Sequence, residues 1–269
     1  LLIIAAIVVV VGLVAVRFLA GFYVDYLWFG SVGRTDVFWG MLGAKVTLFA
    51  MFAGAFIVLA VLNLVIADRL APTTFSANVH PLVERFHEFF GKRLRLFRFT
   101  LAIAIGLLAA LPAMSRWQDW LMYLNSKKFD RADPQFGIDV GFYLFELPFI
   151  TFLIDWLFIA VAIITLLVVF THVLSGGIVF QPPRPKVRRA TKAHVAVLLA
   201  VLAVLKAADY WVTRYELTTA SRGAVRGVTY AVDNAQLPAV LLLGLIALAT
   251  AAMFISTLKT DRWRPAVIA

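Results

Sequence analysis

Six stretches of this chain run for about twenty residues with almost no charge, the length a helix needs to cross the hydrocarbon of a bilayer. They are 1–23, 41–67, 99–120, 148–174, 194–212 and 237–258. Apolar residues make up 62% of the 269 and charged ones 15%, where a soluble domain carries about 45–50% and about 25%. A water-soluble fold could not cover that much hydrocarbon. The expected fold class is therefore all-α, a polytopic transmembrane helical bundle with about six full spans. Residues 1–23 are too long for a signal-peptide core, and no small-residue cleavage site follows them. Pro265–Ala269 reads as the start of a seventh span, so the chain reads as a piece of a longer protein.

The connecting segments orient the bundle. Loops 68–98, 177–193 and 259–264 fall on one side by parity and hold fourteen Lys or Arg and four acids, whereas the opposite loops hold eight and nine. The positive-inside rule places the basic loops and the N-terminus in the cytoplasm. All seven tyrosines, and five of seven tryptophans (Trp28, Trp39, Trp117, Trp120 and Trp211), fall at the other end. That is the aromatic belt expected at the outer interface. The formal charge of +10 is accounted for by retained loop cations, and no nucleic-acid module accompanies it.

Two loops carry more than a turn. Residues 81–96 place Leu82, Phe86, Phe89 and Phe90 at helical spacing beside Glu84, Arg85, Glu88, Lys92 and Arg93. This predicts an amphipathic helix on the cytoplasmic leaflet, attracted to anionic lipids. The long outer loop 115–146 is expected to fold back onto the bundle. Each outward helix ends on similar text, with Asp25, Asp119 and Asp209 beside aromatics, and a second acid follows each: Asp36, Asp139 and Asp233. Pro148 and Pro238 begin two of the returning helices. Three repeated helical hairpins would produce this pattern, and so would chance at an interface rich in Asp and aromatics.

Charges inside a span cost about 2.5–3.5 kcal/mol each on insertion scales, so those present invite a role. Arg17, Asp155, Lys206 and Asp209 form a candidate intramembrane charge network in the outer half of the bundle. Two readings stand: a coupled ion or substrate path, or structural salt bridges with snorkelling cations. Cysteine is absent, which excludes thiolate metal sites and disulfides. No histidine pair has metalloprotease spacing, and no phosphate loop, dinucleotide fingerprint or nucleophile elbow occurs. Gly176-Gly177 reads as a helix stop. No catalytic residue, metal or cofactor is expected, and the chain is not expected to be an enzyme.

Several stretches resemble a known family. Asp25-Tyr26-Leu27-Trp28-Phe29, Asp36-Val37-Phe38-Trp39, Tyr210–Leu217 and, most specifically, Asp133-Pro134-Gln135-Phe136-Gly137-Ile138-Asp139-Val140-Gly141-Phe142-Tyr143-Leu144-Phe145 are similar to uncharacterised protein family 0182 of large bacterial membrane proteins. The resemblance implies a bacterial plasma-membrane protein whose N-terminal bundle of about seven spans precedes a large extracytoplasmic region. It supplies no catalytic or binding residues. The expected role is a membrane anchor or scaffold for that region, with a transporter or conduit for an ion or lipid-like substrate as the alternative. A membrane enzyme acting on lipids is the third reading, with Asp155 or Asp209 as its only candidates. Expected partners are the bilayer, the chain's own C-terminal region, and further copies or other membrane subunits.

Overall fold

The structure is a computed structural model that describes residues 2–72, 85, 89–179, 186–222 and 225–260. Seven α-helices dominate the described residues: α1 (Leu2–Ser31), α2 (Thr35–Leu70), α3 (Leu94–Ser115), α4 (Trp117–Leu124), α5 (Leu147–Leu174), α6 (Arg189–Thr219) and α7 (Leu237–Thr260). Two short antiparallel hairpins trim the connections, β1 (Ile178–Val179) with β2 (Lys186–Val187), and β3 (Ser221–Arg222) with β4 (Val225–Arg226). Among the described residues, five helices are long and apolar enough to cross a membrane: α2, α3, α5, α6 and α7. The chain is thus a multi-pass membrane region. The long helices run alternately up and down. One end gathers residues 116–146 and most of the tryptophans, here termed the aromatic end. The other gathers Asp68, Arg95 and Arg98, the basic end.

Helices continue past the apolar runs that announced them. α1 extends to Ser31 and α2 begins at Thr35, because backbone hydrogen bonds remain favourable at headgroup depth. Of the expected surface helix 81–96, residues 81–84 and 86–88 lie outside the described residues, as does 261–269 with the expected seventh span. At the near end of that stretch Gly91 adopts φ +47°, and Leu94 onward belongs to α3.

The core follows from one spacing. On α2 the buried residues Leu48, Phe52, Phe56, Ala60 and Leu64 recur every fourth position and line one face. Opposite them α3 offers Ala102, Gly106 and Ala110, small residues that let the two backbones approach. A Cβ on Gly106 would lie 2.8 Å from the Ile57 side chain and 2.9 Å from Phe56. Trp156, Ala160, Ile164 and Val168 of α5 complete the centre. Pro112 interrupts the backbone ladder of α3, and the nearby Ala109 carbonyl accepts the Trp156 indole N–H at 2.8 Å.

The two outer helices are held differently. α1 packs mainly on α2, where Phe22, Tyr26 and Phe29 surround Phe38. α7 pairs along α6 and leaves Leu241, Leu242, Leu245 and Ile246 exposed, a face suited to lipid. Two of the returning helices begin alike: π-helical turns at Phe142–Glu146 and Val232–Gln236 lead into Leu147-Pro148 and Leu237-Pro238. Pro has no N–H to donate, and the wider turn shifts the bonding by one residue, so Leu147 bonds the Phe142 carbonyl. α2 starts without such a turn, after the tight Val32-Gly33 connection.

Candidate functional site

At the basic end a chain of polar side chains joins three helices inside the bundle. His172 of α5 is fully buried and His194 of α6 nearly so. Asn63 on α2 donates its amide N–H to the Leu59 carbonyl at 2.8 Å, so its Oδ1 faces His194 Nε2 at 3.1 Å. Nε2 of His194 must then carry the proton, leaving Nδ1 bare to accept from His172 Nε2 at 3.2 Å. His172 Nδ1 in turn accepts the Thr191 hydroxyl at 3.4 Å. For two neutral imidazoles every donor direction is fixed from Thr191 to Leu59.

Glycine closes this site. The end of α5 is a Schellman turn: Gly176 takes φ +73°, its N–H bonds the Val173 carbonyl, and the Gly177 N–H bonds that of His172 at 2.8 Å. A Cβ on Gly177 would sit 2.6 Å from Thr191 Oγ1, so only glycine fits. Beside the histidines, Asp68 takes Arg98 Nη1 at 2.8 Å and Arg95 Nε at 3.4 Å, tying α2 to α3. Asp68 also interacts electrostatically with His172.

The aromatic end is organised by the loop between α4 and α5. Asp133 accepts the N–H groups of Gln135 and Phe136, each at 2.8 Å, and the Tyr143 hydroxyl at 2.9 Å. Partial burial alone would raise the Asp133 pKa, but these donors outweigh it and hold the carboxyl below its usual value. Asp139 accepts the N–H of Phe129 at 3.0 Å and of Gly141 at 2.7 Å. The Phe129 bond leads the causes that lower its pKa as well. Gly137 adopts φ +66°, and a Cβ on Gly141 would meet the Lys127 carbonyl at 2.2 Å. The loop folds back through Phe136, whose ring meets Tyr215 of α6 at 5.2 Å. It also reaches the turn before α7, where Gln135 donates to Asp233 at 2.9 Å.

The expected charge network divides. Lys206 and Asp209 pair directly at 2.5 Å, and Asp155 lies within electrostatic range of both and of Arg116. Arg17 is apart from them, in a groove between α1, α2 and α3 with Asp25 and Lys45. Depth along a helix is legible in one sequence, but which helices stand side by side is not. The remaining acids take separate local roles. Asp36 pairs with Arg34 at 3.2 Å and Asp119 with Arg116 at 3.2 Å, while Asp233 receives Gln135. A smaller apolar cavity of about 290 Å³ between α5, α6 and α7 reaches Lys206. Among the described residues no three His, Asp or Glu side chains converge as a metal site requires.

The histidine chain was missed by sequence reasoning, as were the roles of Asn63, Thr191, Asp133 and Tyr143. A signal existed in Asn63, His172 and His194, each a polar residue within two or three turns of the basic end of its helix.

Comparison with known proteins bears on the whole chain. A family model described as "Uncharacterised protein family (UPF0182)" matches residues 2–269. A UPF0182 protein of Thermobifida fusca is 36% identical over 94% of this chain and 25% of its own length. One of Mycolicibacterium paratuberculosis is 36% identical over 99% and 27%, and one of Nocardioides is 31% identical over 99% and 27%. The chain spans about a quarter of the length of the curated relatives it matches. No solved structure matches it.

Proposed function

The chain belongs to uncharacterised protein family UPF0182, and from that premise we propose that it is the membrane anchor and scaffold for a larger extracytoplasmic region. One observation carries the reading: the centre of the bundle is filled. Leu48, Phe56, Ile164 and Val168 are almost wholly inaccessible, and Phe52 packs edge-on against Trp156 at 4.7 Å. An axial conduit needs a polar path where these side chains stand. The paired charges lie around that centre instead: Asp68 with Arg98 ties α2 to α3 at the basic end, and Lys206 pairs with Asp209 along one face of α6.

The basic end faces the cytoplasm in this reading, on the strength of the loop cations, and the clamped loop 125–141 faces the extracytoplasmic region. Support for a repeat of helical hairpins comes from the two π-helical turns and from the Arg116–Asp119 and Lys206–Asp209 pairs, ninety residues apart. α2 begins without such a turn, so the repeat has support at two of its three returns.

Reconstitution of the full-length protein into liposomes tests the anchor role. An anchor leaves vesicles as tight to protons and potassium as protein-free ones. A leak abolished by Asp155→Ala or Lys206→Met would overturn it in favour of a conduit. Orientation is tested separately, since this region has no cysteine. Ser126→Cys should react with an impermeant maleimide in intact cells, and Lys186→Cys only after lysis; the reverse pattern overturns the assignment.

A further inference from the structure

We propose that the groove between α1, α2 and α3 is a phospholipid site, with the phosphate held between Arg17 and Lys45. The groove encloses about 710 Å³, within the range of a site for one small ligand. Its walls are Met41, Leu42, Leu111 and Met114, and its charged members are Arg17, Lys45 and Asp25.

Depth brings the two cations together. Phe22 of α1 and Phe38 of α2 touch, with ring centroids 5.2 Å apart. Counting from that contact at 1.5 Å per residue, Arg17 lies about 7.5 Å and Lys45 about 10 Å toward the basic end. Two antiparallel helices thus offer long basic side chains at nearly one level. Lys45 rests over the Trp117 ring at 5.7 Å. The Arg17 side chain has no hydrogen bond or ion pair among the described residues.

Charge complementarity selects the occupant. Two cations outnumber one carboxylate in an apolar groove on the side of a membrane bundle. A purely apolar helix placed there would leave Arg17 unpaired. A phospholipid supplies an anion for the two cations and an apolar body for the methionine and leucine wall, and it arrives from the bilayer without crossing the core. Asp25 lies two helical turns beyond Arg17 on the same side of α1, toward the aromatic end.

The test uses the full-length protein in nanodiscs containing phosphatidylglycerol with a photoactivatable acyl chain. Peptides carrying Met41, Leu42, Leu111 or Met114 should be labelled, and Arg17→Gln with Lys45→Gln should reduce that labelling about tenfold, the equivalent of about 1.4 kcal/mol of lost affinity. The charge-conserving pair Arg17→Lys and Lys45→Arg should keep it, which separates loss of charge from loss of fold. Labelling that persists in the glutamine variant would overturn the proposal. So would equal labelling by a photoactivatable diacylglycerol, which has no phosphate. Capture of a downstream segment or a second copy by a photocrosslinker at Leu42, in place of lipid, would overturn it as well.

Discussion

At the basic end His172 and His194 are sealed from solvent and satisfy each other, whereas toward the aromatic end Lys206 and Asp209 are half-exposed and Asp155 is exposed. Both ends place polar groups at the margin of an apolar bundle. The histidine chain removes charge and fixes every donor, so that three helices lock at one point. The lysine cluster pairs Lys206 with Asp209 along one helix, an ion pair that joins no second helix, and sets Lys206 over the Tyr210 ring. A buried group left without a partner costs its full desolvation, while an exposed ion pair is worth little. The two ends should therefore respond very differently to the same kind of substitution.

The contrast is sharpest for His194→Leu. It strands the His172 N–H and the Asn63 carbonyl oxygen together, each costing about 1–3 kcal/mol. Thermal unfolding in detergent should register a loss of about 3 kcal/mol. Next comes Gly177→Ala, where crowding against Thr191 Oγ1 should cost about 1–3 kcal/mol. Adding Thr191→Ala should recover part of that loss, and no recovery would show that the clash is not with the hydroxyl.

The clamped loop stands between these extremes. Asp133→Ala should free the Gln135 and Phe136 amides, seen as faster hydrogen exchange across 129–141 with little change in the melting temperature of the bundle. The same segment should depend on pH. The folded pKa of Asp133 is depressed, so its stabilisation is complete above the unfolded carboxylate pKa of about 4. It is lost as pH falls through the lower folded value. Protection that is flat from pH 7 to below 3 would contradict the clamp. The smallest effect belongs to Lys206→Met and Asp155→Ala, each expected within about 1 kcal/mol. A loss from either that rivals His194→Leu would break the comparison.

Much of this architecture was legible in the chain itself. Long apolar runs gave the helices, Gly176-Gly177 gave the stop after α5, and the composition of 115–146 gave a loop folded onto the bundle. Periodicity works because it reports one helix against its own surroundings. The histidine chain escaped notice because Asn63 and His194 are 131 residues apart, and nothing in either helix says which neighbour it will face. The same ignorance of lateral order grouped Arg17 with Asp155 and Lys206. The Asp133-to-Gly141 stretch was recognisable as distinctive, yet its purpose became clear only when its aspartates were seen binding backbone N–H groups.

The length of α2 has its own consequence. Thirty-six residues make a rod of about 54 Å, while a bilayer with its headgroups measures about 40–45 Å. To keep both tips at the interfaces the rod must lean by about 35–40°, near the limit seen for such helices. Because α3 and α5 are packed along its flank, they tilt with it as one body. A thinner membrane would press the whole assembly flatter and a thicker one would stand it more upright, making the stance of this protein a gauge of the membrane around it.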